Sequence, residues 1–355
     1  MKKKFFALLN WLLFLNFFVH AQQFTIAVIP DSQNYSYYRR QKTITYPMNN
    51  IDIFYRQMAY IADNARSNGG SIDFAVHLGD LVESGKDVEW ELATNALSII
   101  DGKVPFLVVP GNHDYEKWIR DENKKFLYLE GPDTYIKYFG AESKFYKNKD
   151  YYCSSYNQGL STACIFKNKD IELLIIGLEI GPFDDVLEWA QNILEENPGL
   201  PVIIVTHEFL SLRYDLNTPG VVGYSQDNLR SYIGGNTPQQ IWDKFIRKNK
   251  QIFMVLCGHQ FHEDYGESAR TDIDDEGYPV YEILSNFQGR SKVPQRNIFV
   301  KKDCGDGWLR LMDFDLKEKQ IKIKTYSTEL KEYESDWNSQ FTIKFTWDWN
   351  ERFSK

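Results

Sequence analysis

Five short apolar runs in this chain each end in residues that can coordinate a cation. Phe24–Pro30 leads into Asp31-Ser32-Gln33, Ile72–Leu78 into Gly79-Asp80, and Val104–Pro110 into Gly111-Asn112-His113-Asp114. Pro201–Thr206 leads into His207 and Gln251–Cys257 into Gly258-His259. Of the six histidines, one lies in the N-terminal leader, and four of the other five (His113, His207, His259 and His262) fall in or beside these clusters. Carboxylate, carboxamide oxygen and imidazole together suit divalent ions such as zinc, manganese or iron. A carboxylate shared by two such ions, about 3.5–4 Å apart, lets them hold the attacking and leaving oxygens of an in-line displacement. Glycine before Asp80, Asn112 and His259 permits the sharp turns that bring such ligands close.

These residues need elements that deliver them to one point. The five runs are nearly continuously apolar and β-branched, as expected of strands buried on both faces. Between them, Phe54, Met58, Ile61, Ala62 and Ala65 share one helical face, as do Ala93, Ala96, Leu97 and Ile100. Thr237-Pro238-Gln239-Gln240 reads as a capped helix start. The alternation predicts an α/β core, in which functional groups gather beyond the carboxyl ends of strands. Val280–Leu284, Trp308–Phe314, Gln320–Tyr326 and Phe341–Trp347 read as strands of a second sheet. Residues 115–165 show no strong strand but carry twelve aromatic residues between 115 and 156. They are expected to fold as a helical cap whose rings serve burial, with an aromatic substrate platform as the alternative.

The remaining bulk features bound the setting. Lys2-Lys3-Lys4, the apolar run to Val19 and the small residue Ala21 read as a cleaved export signal over 1–21. The run is too short for a membrane span of about 20 apolar residues. This places the mature chain, one domain over 22–355, in the periplasm or outside the cell. The net charge is −8, and the leader holds three of the lysines. Such acidity disfavours a nucleic-acid partner. Export permits disulfides, and Cys153–Cys164, flanking a polar loop, is the favoured pair among Cys153, Cys164, Cys257 and Cys304.

The ordered set Gly79-Asp80, Gly111-Asn112-His113-Asp114, His207 and Gly258-His259 resembles the calcineurin-like metallophosphoesterases. Later stretches, among them Leu284-Ser285-Asn286 and Gly307-Trp308-Leu309-Arg310, are similar to an exported bacterial branch of that family. The resemblance implies a four-layer α-β-β-α sandwich with two mixed sheets, one or two divalent ions, and hydrolysis of a phosphomonoester or phosphodiester by activated water. It implies Asp80 as the bridging ligand, Asp31 in the first site, and Asn112, His207 and His259 in the second. It makes His113 the acid for the leaving oxygen, oriented by Asp114. Gln33 and Phe261 stand where the family carries histidine, and both gaps belong to the first site. Gln33 through its carbonyl and His262, one residue displaced, are the available substitutes, so an asymmetric centre is expected. Arg270 and Arg290 are candidate phosphate clamps, or else surface charges, and Asn34 is a further substrate contact. His77, two residues before Gly79, is turned away from Asp80 by strand alternation and reads as structural. The rival readings are a non-catalytic metal-binding protein on the same fold and a glycan-binding module.

Overall fold

The structure is a computed structural model that describes residues 23–43, 48–120, 127–168, 171–212, 222–261, 266–290 and 305–354. The leader, His262 and Cys304 lie outside the described residues.

The strands, in chain order, are β1 (Gln23–Ile29), β2 (Ile72–His77), β3 (Phe106–Val108), β4 (Lys117–Arg120), β5 (Leu127–Glu130), β6 (Tyr152–Tyr156), β7 (Ser161–Asn168) and β8 (Ile171–Leu178). There follow β9 (Val202–Thr206), β10 (Ile252–Cys257), β11 (Glu267–Ile273), β12 (Pro279–Ser285), β13 (Trp308–Asp315), β14 (Gln320–Ser327), β15 (Glu332–Glu334) and β16 (Phe341–Lys344). One large sheet runs β15-β14-β13-β1-β2-β3, with β16 also on β14, and the other runs β11-β12-β10-β9-β8-β7-β6. Both are mixed. In the first, β1, β2 and β3 are parallel and β13 joins β1 antiparallel. In the second, β8, β9, β10 and β12 are parallel.

The late strands therefore do not form a sheet of their own, as the sequence reading expected. β13, β14 and β16 extend the sheet begun by β1, whereas β12 lies beside β10 in the other. Residue type marks a strand but does not say which edge it joins.

Alternation along the strands explains the continuous apolar runs. In β8, Leu173 and Ile175 enter the core shared by the two sheets, while Leu174, Ile176 and Leu178 face the opposite way. In β9, Ile203 and Val205 take the shared core and Val202 and Ile204 the other face. That outer face packs against Val186, Ala190, Ile193 and Leu194 of a helix over Asp184–Glu196, and against Ile241 and Trp242 of one over Pro238–Lys244. The first sheet is covered by helices Ile51–Asp63 and Asp87–Ser98 through Phe54, Met58, Ile61, Ala93 and Leu97. Both faces of the central strands are thus dry, which is why no polar alternation shows in them. The Thr237 cap forms as read: its side chain accepts from Gln240 N–H at 3.2 Å, and Gln240 Oε1 accepts from Thr237 N–H at 2.9 Å.

The segment 115–165 holds a helix, within the one or two expected of it, but it also carries strands that its sequence did not announce. It holds the small antiparallel pair β4–β5, one short helix over Asp133–Phe139, and β6 with the start of β7. Its rings are mostly core: Tyr135, Phe139, Phe145 and Tyr146 are fully buried against the first sheet. The pairing Cys153–Cys164 is not made. Both are free thiols, because Cys153 falls at an irregularity in the β6–β7 register and faces solvent, whereas Cys164 is buried in the shared core. Among the described residues no helix is long and apolar enough to cross a membrane.

Candidate metal centre

The carboxyl ends of parallel strands from both sheets open on the same point. Asp31 follows β1, Asp80 follows β2, Asn112 follows β3, His207 follows β9 and His259 follows β10. His207 Nε2 lies 3.0 Å from Asn112 Oδ1, 3.3 Å from Asp80 Oδ2 and 3.3 Å from His259 Nδ1. These are the separations of neighbouring corners of a tetrahedron around an ion with bonds of about 2.0 Å, whose edge is about 3.3 Å. Ligand oxygens of Asp31 and Asp80 and a nitrogen of His207 all lie within 4.8 Å of one another.

Backbone carbonyls and carboxylates set which nitrogen of each imidazole is available. His207 Nδ1–H donates to Leu78 O at 2.7 Å, which leaves Nε2 with its lone pair toward the cluster. His259 donates its Nε2–H to Asp227 Oδ2 at 2.8 Å, which turns Nδ1 inward. A carboxylate behind a ligating imidazole fixes its tautomer and raises its basicity. Asp227 is therefore a candidate positioning residue that the sequence did not reveal, since it sits in a polar loop far from any motif. Replacing Asp227 with Asn should weaken metal affinity by about 10–100-fold. Titration of the metal-stripped protein against a competing chelator measures this, and unchanged affinity would remove Asp227 from the site.

Close approach is bought with unusual backbone. Asp80 and His259 adopt left-handed conformations (φ 54° and 68°), a rare state for residues with a Cβ that clusters at functional sites. Gly258 has no room for a side chain, because a Cβ there would sit 2.2 Å from Asp31 Oδ1. Gly79, at φ +98°, would drive one to 2.7 Å from His207 Nδ1.

The two aspartates differ in charge environment. Burial, then the neighbouring Asp80, pushes the Asp31 carboxyl well above the usual range. Burial also pushes Asp80 upward, but His207 and His113 outweigh it and hold Asp80 well below that range. Burial, with His207 adding to it, lowers His77 to about 3. His77 is neutral and structural, accepting from Gly79 N–H at 3.1 Å and lying 3.0 Å from Ser32 Oγ.

Gln33 enters the cluster, donating to Asp80 Oδ2 at 3.0 Å, and its buried Oε1 has no hydrogen-bond partner. That orphaned carbonyl is the one oxygen Gln33 can offer a cation. Asp31 is more fully engaged: His259 N–H approaches its Oδ2 at 3.2 Å and Asn286 Nδ2 donates to the same oxygen at 2.6 Å. Asn286 also braces His259 O at 3.1 Å. It follows β12 directly, so the strand-end rule that found the other five could have found it too. Phe261 is half exposed, and His262 lies outside the described residues.

His113 stands beside the cluster. Its N–H donates to Asp80 Oδ1 at 2.9 Å and its Nδ1–H to Glu83 O at 3.0 Å, leaving Nε2 uncommitted. Asp114 does not orient this ring, contrary to the role the resemblance implied. It accepts from Leu81 N–H (2.8 Å), Val82 N–H (3.2 Å) and Gly111 N–H (2.8 Å), tying the loop after β3 to the loop after β2. Glu83 holds the ring instead.

The three substrate-contact residues read from sequence are already engaged. Asn34 is buried and donates to Gln288 Oε1 at 2.7 Å. Arg290 is buried on Glu267 at 2.6 Å, next to Arg310 on the same carboxylate. Arg270 pairs with Asp272 and with Glu282 (3.0 Å) and lies over the Tyr224 ring. These arginines strut the β11 region rather than stand free as clamps.

The sequence pattern of calcineurin-like phosphoesterases matches residues 24–263, the span that carries every one of these ligands. The chain belongs to the calcineurin-like phosphoesterase family. Among its relatives is YvnB of Bacillus subtilis (strain 168), 25% identical over 315 residues, which are 86% of this chain and 21% of YvnB. A probable glycerophosphodiester phosphodiesterase, GpdQ of Arcobacter nitrofigilis, is 23% identical over 53% of this chain and 56% of its own length. The chain thus spans about a fifth of the first relative and just over half of the second. Among solved structures, purple acid phosphatase PPD1 from yellow lupin superposes with a TM-score of 0.53 at 12% identity, covering 94% of this chain and 56% of that one. That likeness is one of fold, two mixed sheets flanked by helices. Phosphoesterases of this family use divalent metal ions, and the donor set here fits such ions in residue type and spacing.

Proposed function

We propose that this phosphoesterase hydrolyses a phosphate monoester or diester at a metal centre with unequal sites. The observation that carries the reading is the convergence of Asp80, Asn112 and His259 on His207, their donor atoms standing 3.0–3.3 Å from its Nε2. When bound, divalent ions neutralise charge on the phosphoryl oxygens and lower the pKa of water toward neutrality. Asp80, Asn112, His207 and His259 would hold the firm second site, with Asp31 and the Gln33 carbonyl on the first. A carboxamide oxygen is a poorer ligand than imidazole for zinc-like ions, and Asp31 already accepts from Asn286. His113 would deliver the proton to the leaving oxygen from Nε2, its ring held through Nδ1–H by the Glu83 carbonyl. The basic and apolar leader over 1–21 adds export to this reading.

A panel of phosphate mono- and diesters with added manganese or zinc, read beside metal analysis, tests it. Glycerophosphodiesters belong on the panel because GpdQ is named for one. Activity should fall with a chelator and return with metal, and about one ion per chain should survive dialysis, since one ligand set is complete and the other poor. Two tightly held ions would refute the asymmetry. Retained metal without turnover of any ester would favour a binding protein.

A further inference from the structure

Trp118 is the one large aromatic residue of the 115–165 segment that is exposed among the described residues, at 46%, and it stands against the centre just described. Its ring meets His113 edge-on, with centroids 4.6 Å apart and planes at 68°. Its Nε1–H donates to Asn112 O at 2.8 Å, which fixes the indole relative to a metal ligand. With Nδ1 of His113 committed to Glu83, a proton leaves this ring only from Nε2, and the group that receives it departs beside the indole. We infer that Trp118 is a specificity-determining platform for a planar aromatic leaving group on the phosphate ester. The inference rests on the hydrolytic reading for its orientation of the substrate, and it names the class of alcohol released. An indole anchored at its N–H and about half exposed offers an apolar surface that loses little entropy on contact, and ring–ring contact adds to area burial.

The test compares binding of phenyl-, cyclohexyl- and methylphosphonate by calorimetry in the presence of manganese, for the wild type, Trp118→Ala and Trp118→Phe. Wild type should bind phenylphosphonate about three- to tenfold more tightly than the other two, the scale of one aromatic contact. Trp118→Ala should erase that preference, and Trp118→Phe, which keeps a ring but loses the bond to Asn112, should retain most of it. Equal affinities in the wild type, no binding of any of the three, or a uniform loss in Trp118→Ala with the preference intact would each overturn the platform. Phenylphosphonate preference without turnover of phenyl phosphate would keep the platform and sink the hydrolytic reading. Turnover without the preference would do the reverse.

Discussion

Replacing His207 with Ala is expected to strip the tightly held ion and to lower phosphoester turnover by more than about 100-fold, beyond the range seen when only an outer-shell partner is lost. His207 is fully buried, and its Nε2 is the atom around which Asn112, Asp80 and His259 are arranged at 3.0–3.3 Å. Three donors remain without it, but the corner nearest all of them is gone. The substitution also removes the Nδ1–H donor to Leu78 O, and an unpaired buried carbonyl costs about 1–3 kcal/mol. Stability and metal loss must therefore be separated. His207→Gln restores volume and a polar group while lacking an imidazole lone pair. It should unfold closer to the wild type in thermal melts, yet still lose its ion on dialysis. Wild-type metal content in a folded His207→Ala would place the ion elsewhere.

The convergence of the candidate ligands was legible in the sequence because it obeys a rule linking composition to topology. Strands buried on both faces announce themselves as apolar runs, and the residue after such a strand is where a polar group can face a shared crevice. Asp31, Asp80, Asn112, His207 and His259 all follow that pattern. What stayed hidden depends on sheet order and on loops. β8 (Ile171–Leu178) is as apolar as the five recognised runs, but it leads into no ligand cluster and so drew no attention. Asn286 follows β12 and so obeys the same rule, but the sequence reads β12 into the other sheet, and only its place beside β10 puts that residue at the crevice. Asp227 reaches His259 from a loop, so only coordinates pair them. The arginines show the opposite error: a free cation in sequence can be ion-paired in the fold, as Arg290 is through one nitrogen on Glu267. Asp114 accepts three N–H bonds that make it a brace between loops rather than a partner of the His113 ring.

His113 supplies the second large effect, and its signature is separable from that of His207. Its imidazole does not share a contact with Asn112 Oδ1 or His259, and its link to Asp80 runs through the backbone N–H, which any residue at that position keeps. His113→Ala should therefore retain wild-type metal content. Its kcat should fall by roughly 10²–10⁴-fold, the usual contribution of a positioned general acid. The loss should depend on the leaving group. An ester of a strongly acidic phenol departs as an anion without a proton and should lose least, while an ester of an aliphatic alcohol should lose most. A steeper dependence of kcat on leaving-group pKa in His113→Ala than in the wild type is thus the diagnostic result. Loss of metal in step with activity would instead make the imidazole part of the ion's own coordination. An unchanged slope would leave the proton to another group, and Glu83, whose Oε2 stands 3.6 Å from His113 Nδ1, is the nearest carboxyl to test next.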